Sequence, residues 1–500
     1  VPDRKFRLSN PALRIAGSLA LIIKSIQQIK KNIFNVRKKT GGLFLILFLI
    51  SLYCQAQPSM DKLIGRVDSL ANSEIKKGDI PGLSIIVVKN GNIDYVKGYG
   101  FANLEHNVPV KPETIFQSGS VGKQFTAFAI MLLVEDGKLS LDDRLSKFFP
   151  DAPSSWDAIT VKNLLTHTAG FERDYDVNLR ADYTEDSLYQ VFKKVPLKFA
   201  AGEKSEYSNM GYATLGFIIS KVNGKFYGEF LKQRIFEPLG MSTARVISES
   251  DIVPNRAAGY EVVDGQLKNH EWVSPSINTL ADGSLYVTAL DMAKWEAALN
   301  AQKLLKKESY EMMWSPVKLN DGTTHPYGFG WRIDSIQGQK LIAHDGNWQG
   351  FSTTIKRYPL KKTTVVVFAN LKRANTNIIA TRILELYHPE LGVPRLKPIP
   401  DTEPKTTALV KDFVIKQIDQ KLTEDMFTPE FWKEMLPYFE QASNYLKKQG
   451  TFEDLKPLFR EDLDNGNRLH HYRLYFSKET LELLITITKD NKIVMLEGRE

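Results

Sequence analysis

Ser120 and Lys123, in the run Phe116-Gln117-Ser118-Gly119-Ser120-Val121-Gly122-Lys123-Gln124-Phe125-Thr126, are the residues whose types and spacing point most directly to chemistry. A serine hydroxyl is a feeble nucleophile at its own pKa and needs an adjacent base, and a lysine can serve once burial and neighbouring cations keep it neutral. If Ser120 opens the helix that Lys123 to Glu135 continues, Lys123 lies one turn on, on the same face and within reach of the hydroxyl. The helix N-terminus would add backbone donors that favour developing negative charge. The spacing recurs at Ser59 and Lys62, Ser73 and Lys76, and Ser315 and Lys318. Ser120 differs in its setting, between a strand-like approach and a wholly apolar helix in which a lysine would be desolvated. A plain serine N-cap followed by an exposed lysine fits the same residues.

Two further constellations follow in the chain. Tyr207-Ser208-Asn209 precedes a helical pattern that starts near Tyr212. A tyrosine held near a lysine can relay a proton, and the Asn209 amide can bind a substrate carbonyl. His344-Asp345-Gly346 sits at the start of a strand-like region, where the glycine lets substrate or backbone approach closely. Taken singly, these also read as a surface tyrosine near a helix cap and a turn histidine.

The elements that must position these residues are legible as alternation. Leu83–Val88, Asn90-Gly91 and Ile93–Val96 read as a hairpin with an Asn-Gly turn. Helical patterns at Lys123–Glu135, Tyr212–Val222 and Thr376–Leu386, and strands at Phe351–Tyr358 and Thr363–Ala369, complete a mixed α and β pattern. Strands at both ends with helices between them favour one sheet that closes only when the ends meet. The proline-rich stretch from Gly392 to Pro404 then reads as a connector. Beyond it lie one amphipathic helix, Thr428–Lys448, and strands at Arg473–Phe476, Leu481–Ile487 and Lys492–Glu497, a small α+β appendage.

In this order, Ser-x-x-Lys, Tyr-x-Asn and His-x-Gly resemble the motifs of the class C β-lactamase-like serine hydrolases and their penicillin-binding relatives. Leu164–Gly170, Gly211–Gly216, Phe236–Met241 and Asp291–Trp295 agree, so the resemblance spans about Lys62 to Leu386. It implies a β-lactamase/transpeptidase-like α+β fold: an antiparallel sheet flanked by helices, with a helical subdomain. It further implies Ser120 as acylated nucleophile, Lys123 and Tyr207 as the base and acid pair, and Asn209, His344 and Gly346 as substrate binders. The backbone N–H groups of Ser120 and Asn347 would form the oxyanion hole. No cofactor or metal is implied, and His167 corresponds to a stretch that shapes the fold. His344 stands where many β-lactamases and transpeptidases carry the lysine of Lys-Thr-Gly, and a mostly neutral histidine holds a substrate carboxylate less well. Esterases, D-amino-acid peptidases and amidases are therefore closer expectations than antibiotic destruction.

Composition bounds the alternatives. The 500 residues carry a net charge of +8, but residues 1–40 hold ten Lys or Arg against the single Asp3, so everything after Thr40 sums to −1. That removes the argument for a nucleic-acid partner. The basic stretch leads into the apolar run Leu43–Ile50 and then Cys54-Gln55-Ala56, which reads as a signal peptide cleaved after Ala56. Lipoprotein processing at Cys54 is the alternative, and would be the one route to the membrane besides the signal. Translation is expected to begin near Val36, with an amphipathic leader over Ile15–Ile33 as the competing reading. The expected organisation is an upstream segment (1–35), signal peptide (36–56), hydrolase domain (57–392), proline-rich linker (393–408) and C-terminal domain (409–500). The expected protein is an exported, periplasmic or secreted hydrolase of a small-molecule or peptide substrate. A cell-wall-fragment sensor of the same fold is its rival. His470 and His471 lack a third ligand at a useful spacing and are expected on alternate faces of a strand.

Overall fold

The computed structural model describes residues 61–247, 250–391, 396–463 and 466–499. The upstream segment, the signal peptide with Cys54, and residues 392–395 of the connector lie outside the described residues. The chain divides after Gly392 into two compact units.

The first unit is organised by a strand pair that the sequence pattern makes almost wholly apolar. β1 (Gly82–Lys89) is buried at seven of its eight positions, which places it in the middle of a sheet and not at its rim. It turns into β2 (Asn92–Asn103) through Asn90 at φ +52° and Gly91 at φ +78°. Two successive positive φ angles are what a two-residue turn between right-twisted strands requires. The other strands of its seven-stranded sheet are β3 (Val108–Pro109), β4 (Arg332–Ile336), β5 (Gln339–Trp348), β6 (Phe351–Tyr358) and β7 (Thr363–Ala369). Their order across the sheet is β4-β5-β6-β7-β1-β2-β3, with antiparallel neighbours throughout. The first strand of the sheet thus pairs with the last, Leu83 opposite Ala369 through Lys89 opposite Thr363.

One face of the sheet is covered by α1 (residues 61–78) and α4 (Thr376–Tyr387), whose Val67, Ala71, Ile379 and Ile383 pack on Ile85, Val87 and Val365. The other carries the helical region, in which α2 (Lys123–Glu135) is buried from Lys123 through Leu133. Phe125 and Phe128 of α2 meet Trp295, with ring centroids 4.4 and 5.0 Å apart. α3 (Asn209–Asn223) packs beside α2 and ends at Gly224 in the left-handed conformation. It starts three residues before the expected Tyr212, because Ser208 caps it by accepting a hydrogen bond from the Gly211 N–H at 3.0 Å.

The second unit departs from expectation at two of its prolines, Pro404 and Pro437. The linker expected to run to residue 408 stops earlier, since α5 (Pro404–Asp419) begins at Pro404. Proline is well suited to a first helical turn, where its missing N–H would have no partner. The single helix expected over Thr428–Lys448 is two, α6 (Pro429–Met435) and α7 (Phe439–Lys448), separated by a tight turn at Leu436–Tyr438 where Pro437 cannot donate. A four-stranded antiparallel sheet follows, β8 (Phe452–Asp462), β9 (Arg468–Phe476), β10 (Thr480–Ile487) and β11 (Ile493–Arg499), in chain order. β8 was not expected. His470 and His471 are successive buried residues of β9, and His471 Nε2 lies 2.8 Å from a Glu482 oxygen. Among the described residues no three His, Cys, Asp or Glu side chains are grouped to hold a metal ion, and no helix is long and apolar enough to cross a membrane.

Candidate active site

Ser120 lies in a 3₁₀ turn, Gly119–Gly122, that precedes α2, rather than in the first turn of the α-helix itself. In a 3₁₀ turn residues i and i+3 eclipse, which sets Lys123 directly over Ser120. The Lys123 Nζ is 3.1 Å from Ser120 Oγ and 2.7 Å from Asn209 Oδ1, and it also donates to the Asp282 carbonyl. Lys123 has no solvent exposure. Burial lowers its pKa to about 8, against the opposing pull of Asp282 and Asp174 and with the help of the nearby Arg173. Its ammonium also sits 4.9 Å from the Tyr207 ring centre and 5.4 Å from that of Tyr212. The arrangement suits a switchable base. As an ammonium Lys123 donates to all three oxygens; as an amine it keeps two N–H bonds and turns its lone pair to the serine proton.

The Tyr207 hydroxyl is buried beside Ser120, although it forms no well-aligned hydrogen bond. Burial pushes its pKa upward, so it is a phenol in the resting site. The segment carrying it is pinned from several sides. The Ser208 N–H donates to His167 Nδ1 at 3.1 Å, the Ser208 hydroxyl to the Glu172 carbonyl at 2.6 Å, and the Asn209 N–H to the Arg173 carbonyl at 2.7 Å. His167 is buried at φ +58°, with its ring 4.3 Å from Tyr207 and 4.5 Å from Tyr327. Because Nδ1 accepts, its proton is on Nε2, and burial keeps the ring neutral. It shapes the site without titrating in it.

Gly346 of β5 lies against the turn that carries Ser120. A Cβ at Gly346 would stand 2.2 Å from the Ser118 carbonyl oxygen and 2.9 Å from the Ser120 nitrogen. One at Gly119, which has φ +49°, would stand 2.6 Å from the Asn347 nitrogen. The Gly119–Ser120 and Gly346–Asn347 segments thus pack backbone against backbone beside the serine. The Asn347 side chain faces elsewhere, accepting from the Ser352 hydroxyl and the Arg373 N–H.

His344 is 4% exposed and has both ring nitrogens engaged. Nδ1–H donates to the Asp345 carbonyl at 2.7 Å, so Nε2 accepts from the Tyr327 hydroxyl at 2.9 Å. Burial, reinforced by the charge of Lys123, holds its pKa at about 3. The expected substrate-binding histidine therefore has neither a charge nor a free donor to offer, because its one N–H is spent on the Asp345 carbonyl and Tyr327 occupies its other nitrogen. Asp345 is equally committed, to Arg332, Thr354 and Asn377. Tyr327→Phe is expected to cost about 1–2 kcal/mol in urea unfolding, since it leaves His344 Nε2 a buried acceptor with no donor.

Four residues of the site were not singled out from sequence: Tyr327, Asp282, Asp174 and Arg173. Asp174 Oδ1 accepts from Asn209 Nδ2 at 2.6 Å, so Asn209 bridges Lys123 and a carboxylate. Arg173 stacks 5.4 Å from the Tyr207 ring centre. The acidic run Glu172-Arg173-Asp174-Tyr175-Asp176, and a lone Asp282 amid apolar neighbours, were the available signals.

A sheet closed by its first and last strands, with a part-exposed serine over a buried lysine beside one of its strands, defines the β-lactamase type of serine hydrolase. The chain belongs to the Beta-lactamase family, whose model matches residues 67–388. Penicillin-binding protein 4* of Bacillus subtilis is 28% identical over 363 residues, covering 68% of this chain and 79% of its own. The octameric penicillin-binding protein homologue from Pyrococcus abyssi superposes with a TM-score of 0.61 at 25% identity, covering 87% of this chain and 95% of its own. D-amino acid amidase from Ochrobactrum anthropi SV3 shares the fold, with a TM-score of 0.58 at 24% identity over 66% of this chain and all of its own.

Proposed function

We propose that this protein is an exported serine hydrolase that forms an acyl-enzyme on Ser120 and acts on an ester, a D-residue peptide or a related amide. The observation that carries the proposal is the contact of a fully buried, partly neutralised Lys123 with Ser120 Oγ at 3.1 Å. In the forward step Lys123 or Tyr207 takes the hydroxyl proton as Oγ bonds to the scissile carbonyl carbon. The carbonyl oxygen becomes an oxyanion between the N–H groups of Ser120 and Asn347. The proton passes to the leaving alcohol or amine as the scissile bond breaks, and water then attacks the acyl-serine with the same pair acting in reverse. Asn209 holds Lys123 and faces it toward the serine.

The neutral, occupied His344 supports the choice of substrate, because a site without a cation at that position gives little hold on the carboxylate of a β-lactam. A true β-lactamase or D,D-peptidase is the second reading, favoured by the names of the penicillin-binding relatives. The test is intact-mass analysis after exposure to a fluorophosphonate, a p-nitrophenyl ester, a D-amino acid amide and a penicillin, with peptide mapping of any adduct. The expected result is a fluorophosphonate adduct on the Ser120 peptide and turnover of the ester or amide. Absence of any adduct would leave a cell-wall-fragment binding protein of the same fold, and turnover of penicillin alone would favour the second reading.

A further inference from the structure

Among the described residues two cations lie against the Tyr207 ring, and only one of them has a part in the proton transfer. Lys123 is fully buried and hydrogen-bonded to Ser120 Oγ. Arg173 places its guanidinium carbon 5.4 Å from the ring centre while 66% of its side chain stays exposed, so its charge can be met from solvent. Its neighbours do not use that charge. Asp174 is the nearest carboxylate, but Arg173 Nε stands 3.8 Å from its Oδ2, too far for a hydrogen bond. At such exposure an ion pair of that length contributes little. The other Asp174 oxygen accepts from Asn209 Nδ2 at 2.6 Å. Glu172, on the other side in sequence, is drawn to Lys198 at 2.9 Å. Among the described residues none accepts a hydrogen bond from the Arg173 guanidinium. The arginine is nevertheless held in place. Its carbonyl accepts from the Asn209 N–H at 2.7 Å, and the Glu172 carbonyl before it accepts from the Ser208 hydroxyl at 2.6 Å. Both bonds come from the segment that carries Tyr207, which ties the backbone of Arg173 to the ring that its side chain covers.

We infer that Arg173 is the anion-recognising residue of this site, and that the substrate carries a carboxylate close to its scissile ester or amide bond. The inference rests on the hydrolase reading for the bond that is broken, and on the placement of Arg173 for the charge. A guanidinium resting on an aromatic ring keeps its N–H fork for a planar, bidentate partner, and a carboxylate is the group that matches that fork. Because stacking and the two backbone bonds already limit its freedom, little further ordering is needed when a ligand arrives. No other group named at the site offers the same. His344 has both ring nitrogens engaged, and Lys123 Nζ is shared among three oxygens. Arg173 reaches the site from the loop after Phe171 and not from β5, so the carboxylate it holds is not one placed against His344.

Two matched pairs of esters test this on the full chain. In one pair the acyl group differs, p-nitrophenyl p-toluate against mono-p-nitrophenyl terephthalate. In the other the leaving group differs, phenyl acetate against m-carboxyphenyl acetate. The quantity read is kcat/KM for the charged member divided by that for the neutral member. In at least one pair this ratio should fall about tenfold in Arg173→Gln, the loss of one charge-assisted contact. It should stay closer to wild type in Arg173→Lys, and shrink in wild type at high salt. The pair that responds identifies the half of the substrate that bears the carboxylate. A displaced loop would slow both members alike, so an unchanged ratio in both pairs would overturn the inference. A second readout needs no turnover. Carbon-13 NMR of arginine Cζ, with the Arg173 resonance identified by its loss in Arg173→Gln, should show that resonance move with benzoate and stay still with benzamide. If no ester is cleaved and a fluorophosphonate leaves Ser120 unlabelled, the hydrolase reading fails. The benzoate titration then decides alone: a moving resonance keeps the anion site, and an unmoved one removes it.

Discussion

Lys123→Met is expected to slow acylation of Ser120 by about 10³-fold, measured as the burst rate with a p-nitrophenyl ester. The argument is differential. Methionine fills nearly the same volume, so the 3₁₀ turn, the two backbone N–H groups and the apolar packing of α2 stay in place. What is lost is the one side-chain nitrogen hydrogen-bonded to Ser120 Oγ among the described residues, which also holds Asn209 at 2.7 Å. Ser120→Ala should remove the burst altogether. A double variant should be no slower than Ser120→Ala alone, because residues acting as one unit give strongly non-additive losses. Retention of acylation within about tenfold in Lys123→Met would instead assign proton removal to Tyr207 acting alone.

Gly346→Ala is expected to lower acylation by about 10²–10³-fold, a loss comparable with that of an oxyanion donor, although one methyl group is all that is added. The added carbon would stand 2.2 Å from the Ser118 carbonyl oxygen and 2.9 Å from the Ser120 nitrogen. Both are backbone atoms, so neither can swing aside as a side chain would. β5 must withdraw from the turn, by roughly 1 Å to restore ordinary contact, and the Asn347 N–H moves with it. The same overpacking should cost about 1–3 kcal/mol of stability. Gly65→Ala is the control: it lies exposed on α1 with open space around its Cβ, and should leave acylation unchanged while stabilising the helix slightly. Equal losses in both variants, by burst kinetics and urea unfolding, would refute the steric account.

What could be read from the sequence was what is local. The Asn90-Gly91 turn, the apolar run of β1 and the Ser-x-x-Lys spacing each depend on residues within a few positions of one another; the turn, the strand and the contact of Lys123 with Ser120 are present in the structure, though the element that carries Ser120 differs. Ser120 was expected inside the α-helix because a 3₁₀ turn has the same sequence signature as a first helical turn, with glycines at 119 and 122 as the only hint. β8 was hidden by Pro457 and by six charged residues among its eleven, which mask a strand that is buried only at Leu455 and Leu458. The commitment of His344 was hidden for a different reason. Its partner Tyr327 is seventeen residues away, on a segment with no pattern of its own. Asp282 likewise reaches Lys123 across 159 residues of chain. Such contacts are made by the tertiary fold, and no local period encodes them.

The pairing of β1 with β7 has a consequence in time. Leu83 finds its partner Ala369 only after some 280 intervening residues are available, and Gly346 arrives at the turn of Ser120 on that same late sheet. A nascent chain that has released Ser120 and Lys123 from the ribosome still lacks β5, the strand that packs against their turn. The surroundings of Ser120 are thus completed only when the last strands of the sheet arrive.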